Sequence, residues 1–240
     1  MLGMDRGVEV RQMEVCGRSI RVATRSSTGS LPPLLIMNGS RCSVEVLAPL
    51  LKALDPATGF VCFDPPGIGG SPRPRRPYLL PEMSWMLNAL LRDLDIPAAD
   101  VLGVSWGGAL AQQFAFQHRR RCRRLILVST AVAPIVKPSW VTAREVVAPR
   151  RFDPVRGREV AVKLYGGKVR ADPDLLDCFN GLVTNDGGER YQMLALLGWT
   201  TLPFLRLIRQ RTLVLHGDDD RLVPPFNAHL LARLLPNAQL

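Results

Sequence analysis

At 240 residues the chain is long enough to bury one large core, and a single α/β domain of this size is ordinary. It is 47% hydrophobic and 22% charged, a balance that excludes a disordered chain. Its net charge is +10, and its longest apolar runs, residues 34–37 and 125–128, are strand-length, so no membrane span is expected.

The N-terminus, MLGMDRGVEV, lacks the basic start and apolar stretch of a secretory signal. The five cysteines are odd in number and scattered, with no C-x-x-C pair. Reduced thiols in a cytoplasm fit that pattern better than a disulfide framework or a zinc site, and no metal or cofactor is expected. The densest basic run is 118–124, His-Arg-Arg-Arg-Cys-Arg-Arg, without interleaved aromatics. It reads as a solvated helix end whose arginines complement the C-terminal dipole, so no nucleic-acid partner is expected.

In chain order, residues 8–15 and 20–24 look like a strand pair turning at Gly17. Residues 34–37 form a wholly apolar strand that ends in Asn38-Gly39-Ser40. Residues 43–54 carry Val46, Leu47, Leu50, Leu51 and Leu54 at helical spacing. A buried strand at 60–63 runs into Asp64-Pro65-Pro66-Gly67-Ile68-Gly69-Gly70-Ser71, too rich in Gly and Pro to be anything but a loop. A helix over 81–94 tolerates Pro81 in its first turn. Strand 101–104, helix 106–117 and strand 125–129 follow. This alternation predicts a mostly parallel sheet with helices on both faces.

The pattern changes at about residue 134. Up to residue 201 there is no clear buried strand; Gly166-Gly167 reads as a turn and 191–197 as helical. A helical lid over 134–201 is expected between core parts 1–133 and 202–240. Strand 212–215, the turn His216-Gly217-Asp218-Asp219-Asp220 and helix 226–235 follow. A last strand and helix are expected past Leu240, leaving the core incomplete as given.

The chemistry centres on Gly103-Val104-Ser105-Trp106-Gly107. G-x-S-x-G alone is a weak pattern, and a serine in an ordinary βα turn is the plain alternative. Here it stands between a strand and a helix, as a nucleophile elbow requires. The glycines let the backbone pack around a strained serine, and the helix N-terminus offers N–H groups to a developing oxyanion. The candidate oxyanion donors are the backbone N–H groups of Ser40 and Trp106. Asn38-Gly39 by itself is a strong turn pair, so the reading of Ser40 leans on the elbow. Triad order in such a site is Ser, acid, His, which makes Asp220 the candidate acid. Asp218 and Asp219 read as loop caps or solvent-facing groups, and Asp64 as a structural residue of its own turn.

None of the three histidines is an easy base. His216 is too close in sequence to Asp220 and reads as a packed strand-end residue. His229 reads as packed on a helix face, and His118 ends the helix behind the nucleophile. The base is expected on a loop after one further strand, past Leu240.

These residues resemble the α/β-hydrolase superfamily, and within it the intracellular depolymerases of medium-chain-length poly(3-hydroxyalkanoate). The resemblance runs over nearly the whole chain. It rests on residues 33–39, 63–71 and the elbow 103–114, then on Tyr165-Gly166-Gly167, Gly198-Trp199-Thr200, Ile208-Arg209-Gln210 and the 217–220 turn. It implies a serine esterase with nucleophile Ser105 and acid Asp220, cleaving polyester granules in a bacterial cytoplasm to 3-hydroxyacyl monomers or oligomers. The family's histidine, in a Gly-His pair, falls a few residues past the position of Leu240, so the 240 residues alone are expected to be inactive. Arg41-Cys42 also departs from the family, where small or apolar residues are expected. Two alternatives stay open: a small-ester carboxylesterase, and a non-catalytic binder of acyl esters or granules if the chain ends at Leu240. Acyl-chain preference and oligomeric state are not legible.

Overall fold

A computed structural model describes residues 7–133, 159, 162, 164–172, 175 and 187–240. Among them eight strands form one sheet in the order β1-β2-β4-β3-β5-β6-β7-β8. The edge hairpin β1 (Glu9–Val15) and β2 (Arg18–Arg25) is antiparallel, and β2 runs antiparallel to β4 (Phe60–Phe63). From β4 onward the strands β3 (Leu34–Met37), β5 (Ala99–Val104), β6 (Cys122–Val128), β7 (Arg211–Leu215) and β8 (Ala238–Gln239) are parallel.

Every residue of β3 and β4 is buried, because helices cover both faces of the sheet. Strand alternation divides the core. Leu35, Met37, Val61, Phe63, Val101 and Leu127 face α2 (Leu80–Asp93), α3 (Trp106–Gln117) and α6 (Phe226–Leu234). Ile36, Cys62 and Leu102 face the other way, toward Val44, Leu47 and Leu51 around α1 (Ala48–Ala53). Two more helices, α4 (Gly167–Ala171) and α5 (Gly188–Leu196), lie in the segment between β6 and β7.

Several expectations shift by a few residues. The helix foreseen over 43–54 opens as a 3₁₀ turn, Val44–Leu47, and becomes α-helical where Pro49 sits in the first turn, a place that needs no N–H partner. Strand β6 begins at Cys122, three residues early, so the basic run is not simply a helix end. Arg121 donates to the carbonyls of Ile96 and Pro97, and Arg123 pairs with Asp100. The last strand, expected past Leu240, already begins at Ala238, whose pairing with Thr212 puts β8 beside β7. Most of the lid expected over 134–201, with Cys178, lies outside the described residues. Among the described residues Cys16, Cys42, Cys62 and Cys122 form no disulfide.

Candidate active site

Ser105 leaves β5 and caps α3 with φ +53 and ψ −115, a left-handed region that strains a residue with a Cβ by about 1–3 kcal/mol. Packing enforces that turn. Its N–H donates to Val128 of β6 at 2.9 Å, and its carbonyl accepts from Gly108 N–H at 2.9 Å and from Thr130 Oγ1 at 2.8 Å. The flanking glycines leave no room for side chains. A Cβ on Gly103 would stand 2.4 Å from the Gly107 carbonyl oxygen; on Gly107, 2.0 Å from that of Met37; on Gly108, 2.5 Å from Thr130 Oγ1. The helix start is thereby pressed onto the carboxyl ends of β3 and β5, and Ser105 stays partly exposed there.

The loop after β3 comes to the same place. A Cβ on Gly39 would lie 3.9 Å from that of Ser105, an ordinary contact. Asn38 is buried and folds the loop on itself: Oδ1 accepts Gly39 N–H at 2.8 Å and Nδ2 donates to Ser43 carbonyl at 2.9 Å. Among the described residues no protein acceptor takes the backbone N–H of Ser40 or of Trp106.

Behind this loop lies a charged network. Asp64, wholly buried, accepts Val44 N–H at 2.7 Å, Gly70 N–H at 2.8 Å and Arg21 Nε at 2.6 Å. Arg21 reaches on to Glu45 at 2.6 Å. Partial burial alone would raise the Glu45 pKa, but the bonds from Arg21 and Ser43 outweigh it and hold the carboxyl below its ordinary value. Asp64 thus holds its own turn, as expected, and also pins the end of the loop that carries Ser40.

Asp220 follows β7, two strands from the one that leads into Ser105, a separation of about 10 Å across the sheet. Its Oδ1 accepts the N–H groups of Leu222 and Val223 at 2.9 and 2.8 Å, which fixes the carboxylate on its turn. Asp219 instead grips α4, accepting Gly167 N–H at 2.9 Å and pairing with Arg170 at 2.8 Å. Asp218 is exposed.

Among the described residues no histidine is hydrogen-bonded to Ser105. The His216 side chain is almost wholly covered; its Nε2 lies 2.7 Å from the Val223 carbonyl, which requires the proton on that nitrogen, and 3.7 Å from Asp220 Oδ2. His118 packs between Trp85 and Phe114 at the far end of α3, where burial lowers its pKa. His229, expected to be packed, is exposed, because α6 turns Asn227, Ala228 and Leu231 inward instead.

The segment between β6 and β7 docks on both sides of this site. Trp199 Nε1 donates to Gln113 Oε1 at 2.9 Å, and Thr201 Oγ1 to Gln112 Oε1 at 2.7 Å. Trp199 is therefore used to seat the segment on α3. On the acid side, Leu164 carbonyl takes the N–H groups of Arg221 and Leu222, both at 3.1 Å. Gln192, which no sequence motif singles out, is wholly buried on the Ser105 side. Its Oε1 accepts Arg41 N–H at 2.8 Å, and its carbonyl accepts Trp106 Nε1–H at 2.9 Å. Among the described residues no group of His, Cys, Asp and Glu could hold a metal ion, and no helix is long and apolar enough to cross a membrane.

A strained serine between strand and helix, with an acidic turn two strands along a mostly parallel sheet, defines a class, and residues 32–240 match it: the chain belongs to the α/β-hydrolase fold family. It is 42% identical over 238 residues to the poly(3-hydroxyalkanoate) depolymerase of Ectopseudomonas oleovorans, covering 96% of this chain and 83% of that protein. Among solved structures, the enol-lactonase of Burkholderia xenovorans LB400 aligns with a TM-score of 0.80 at 22% identity, over 95% of this chain and 89% of that one. An α/β hydrolase from a Medee basin deep-sea metagenome library gives 0.81 at 18%, over 96% and 87%. At such identities the structures speak for the fold alone.

Proposed function

We propose that this hydrolase is a serine esterase that cleaves medium-chain-length poly(3-hydroxyalkanoate) to 3-hydroxyacyl monomers or oligomers. The observation that carries the mechanism is the left-handed backbone at Ser105, held by glycines that admit no side chain. Such strain persists where the surrounding structure enforces it, and here it lifts one hydroxyl above the ends of β3 and β5. The substrate reading is supported by the 42% identity to a depolymerase.

In this reading Ser105 Oγ attacks the ester carbonyl and the N–H groups of Ser40 and Trp106 hold the oxyanion. A histidine oriented by Asp220 takes the serine proton and returns it to the leaving alcohol; water, activated by the same base, then releases the acid. In this reading the histidine is carried by the loop that follows β8. The 134–201 segment acts as a lid lining the acyl pocket, and the enzyme works at polyester granules in the cytoplasm.

The test uses protein made from the full reading frame, with p-nitrophenyl octanoate and a medium-chain polyester granule suspension as substrates. Both should be hydrolysed, and Ser105→Ala should lose turnover on both by about 10³-fold or more while melting like its parent. Turnover of the soluble ester alone would make it a small-ester carboxylesterase. Granule binding without turnover would make it a binding protein. Hydrolysis surviving in Ser105→Ala would sink the serine mechanism.

A further inference from the structure

We infer that Gln192 is a positioning residue that sets both halves of the oxyanion hole from outside the sheet. The inference rests on the assignment of Ser40 and Trp106 as the oxyanion donors. Gln192 lies on α5 and makes one bond to the residue after Ser40 and one to Trp106 itself.

The first bond fixes a peptide plane. Ser40 N–H belongs to the 39–40 peptide, whose carbonyl, on Gly39, accepts Cys42 N–H at 3.3 Å. The next peptide, 40–41, is held by Arg41 N–H on Gln192 Oε1. With both planes fixed, the direction of the Ser40 N–H is fixed between them. Arg41 itself has φ +66, so this turn is not one its sequence would hold unaided. Helix α5 grips Arg41 a second time, because Glu189, one turn before Gln192, lies 3.3 Å from Arg41 Nε. An arginine where small or apolar residues were expected thereby has a partner built for it.

The second bond fixes the other donor. Trp106 is the first residue of α3 and its backbone N–H is free within the helix. Its indole is anchored by Gln192 carbonyl and packed edge-on against Tyr78, which in turn meets Tyr191, the neighbour of Gln192. Because Oε1 must face the Arg41 N–H, the orientation of the amide is set, and Nε2 is left buried with no partner among the described residues. An unpaired buried donor is uncommon; here it accompanies an acceptor whose direction matters.

A residue that only aims oxyanion donors acts on the transition state and not on substrate binding. Gln192→Met keeps the volume and removes both the acceptor and the unpaired Nε2; the Arg41 N–H loses its acceptor, which offsets the gain, so the protein should melt close to the parent temperature. On p-nitrophenyl octanoate its kcat should fall about 10- to 100-fold, less than the loss from deleting a donor, with KM within about twofold. Inhibition by octylboronic acid, which forms a tetrahedral adduct on the serine, should weaken in step with kcat. Trp106→Phe, which keeps an aromatic ring of smaller size and drops the indole N–H, should show the same pattern more weakly, and it carries the test if Gln192→Met does not fold. Parent-like kcat and boronate affinity overturn the inference, as does a loss of kcat that only tracks a lowered melting temperature. If Ser105→Ala is inert and Gln192→Met is parent-like, this inference alone fails. If Ser105→Ala still hydrolyses the ester, the oxyanion assignment fails and takes the inference with it.

Discussion

Ser105 stands on a turn pressed from all sides by buried backbone, whereas Asp220 stands on a turn held by its own N–H groups and gripped from outside by a partly exposed ion pair. On the nucleophile side the constraint is steric: Gly103, Gly107 and Gly108 are glycines because a carbonyl or a threonine occupies the space of a Cβ. On the acid side it is local hydrogen bonding, which many neighbouring sequences could reproduce. A hydroxyl held at a strained positive φ needs the rigid arrangement; a carboxylate that, in the proposed mechanism, only orients a base does not.

The largest expected effect is chemical and lies on the less rigid side. Asp220→Asn keeps an oxygen for the Leu222 and Val223 N–H groups, so the loop should stay folded, yet the charge that the proposed mechanism uses to orient and stabilise the base is gone. A fall in kcat of about 10³- to 10⁴-fold with an unchanged melt is expected from steady-state kinetics. A loss below tenfold would move the acid elsewhere.

The next effect separates the two kinds of constraint through two glycines. Gly107→Ala drives a Cβ into the Met37 carbonyl, 2.0 Å away, and neither backbone can yield cheaply. Urea unfolding should show a loss of about 3 kcal/mol or more. Gly167→Ala on the acid side meets nothing within 4 Å and carries only the strain of φ +52, a cost of about 1 kcal/mol. Equal losses would erase the distinction.

The same contrast explains what the sequence made legible. Steric rules act through residue type at fixed offsets, so the elbow, the all-apolar strands and the Pro-Gly loop could be read directly. The Gly198-Trp199-Thr200 and Gln112-Gln113 motifs were both visible, but not that Trp199 bonds Gln113, 86 positions away. Gln192 was invisible for the same reason, since its acceptor serves Arg41 across 151 positions and no local period encodes that. The early start of β6 escaped because Arg123 and Arg124 look like surface residues. They are residues at the start of β6, between β5 and β7, where Arg123 finds Asp100 on β5.

The smallest effect tests how far the acid side depends on solvent. Gly167 N–H first, and then Arg170, hold the Asp219 carboxyl below its ordinary pKa. A carboxyl whose folded value lies below its unfolded one stabilises the fold above the unfolded value, about 3.9, and loses that contribution as pH falls through the folded one. Asp219→Asn keeps an acceptor for Gly167 but drops the charge. The parent should therefore melt higher than the variant by no more than about 2 °C near neutrality, and the gap should close below about pH 4. Because the pair is exposed, 1 M NaCl should close most of the gap at neutral pH as well. A gap that survives both acid and salt would mean that α4 is seated on the acid turn by packing rather than by charge, which would make the two sides of the site alike.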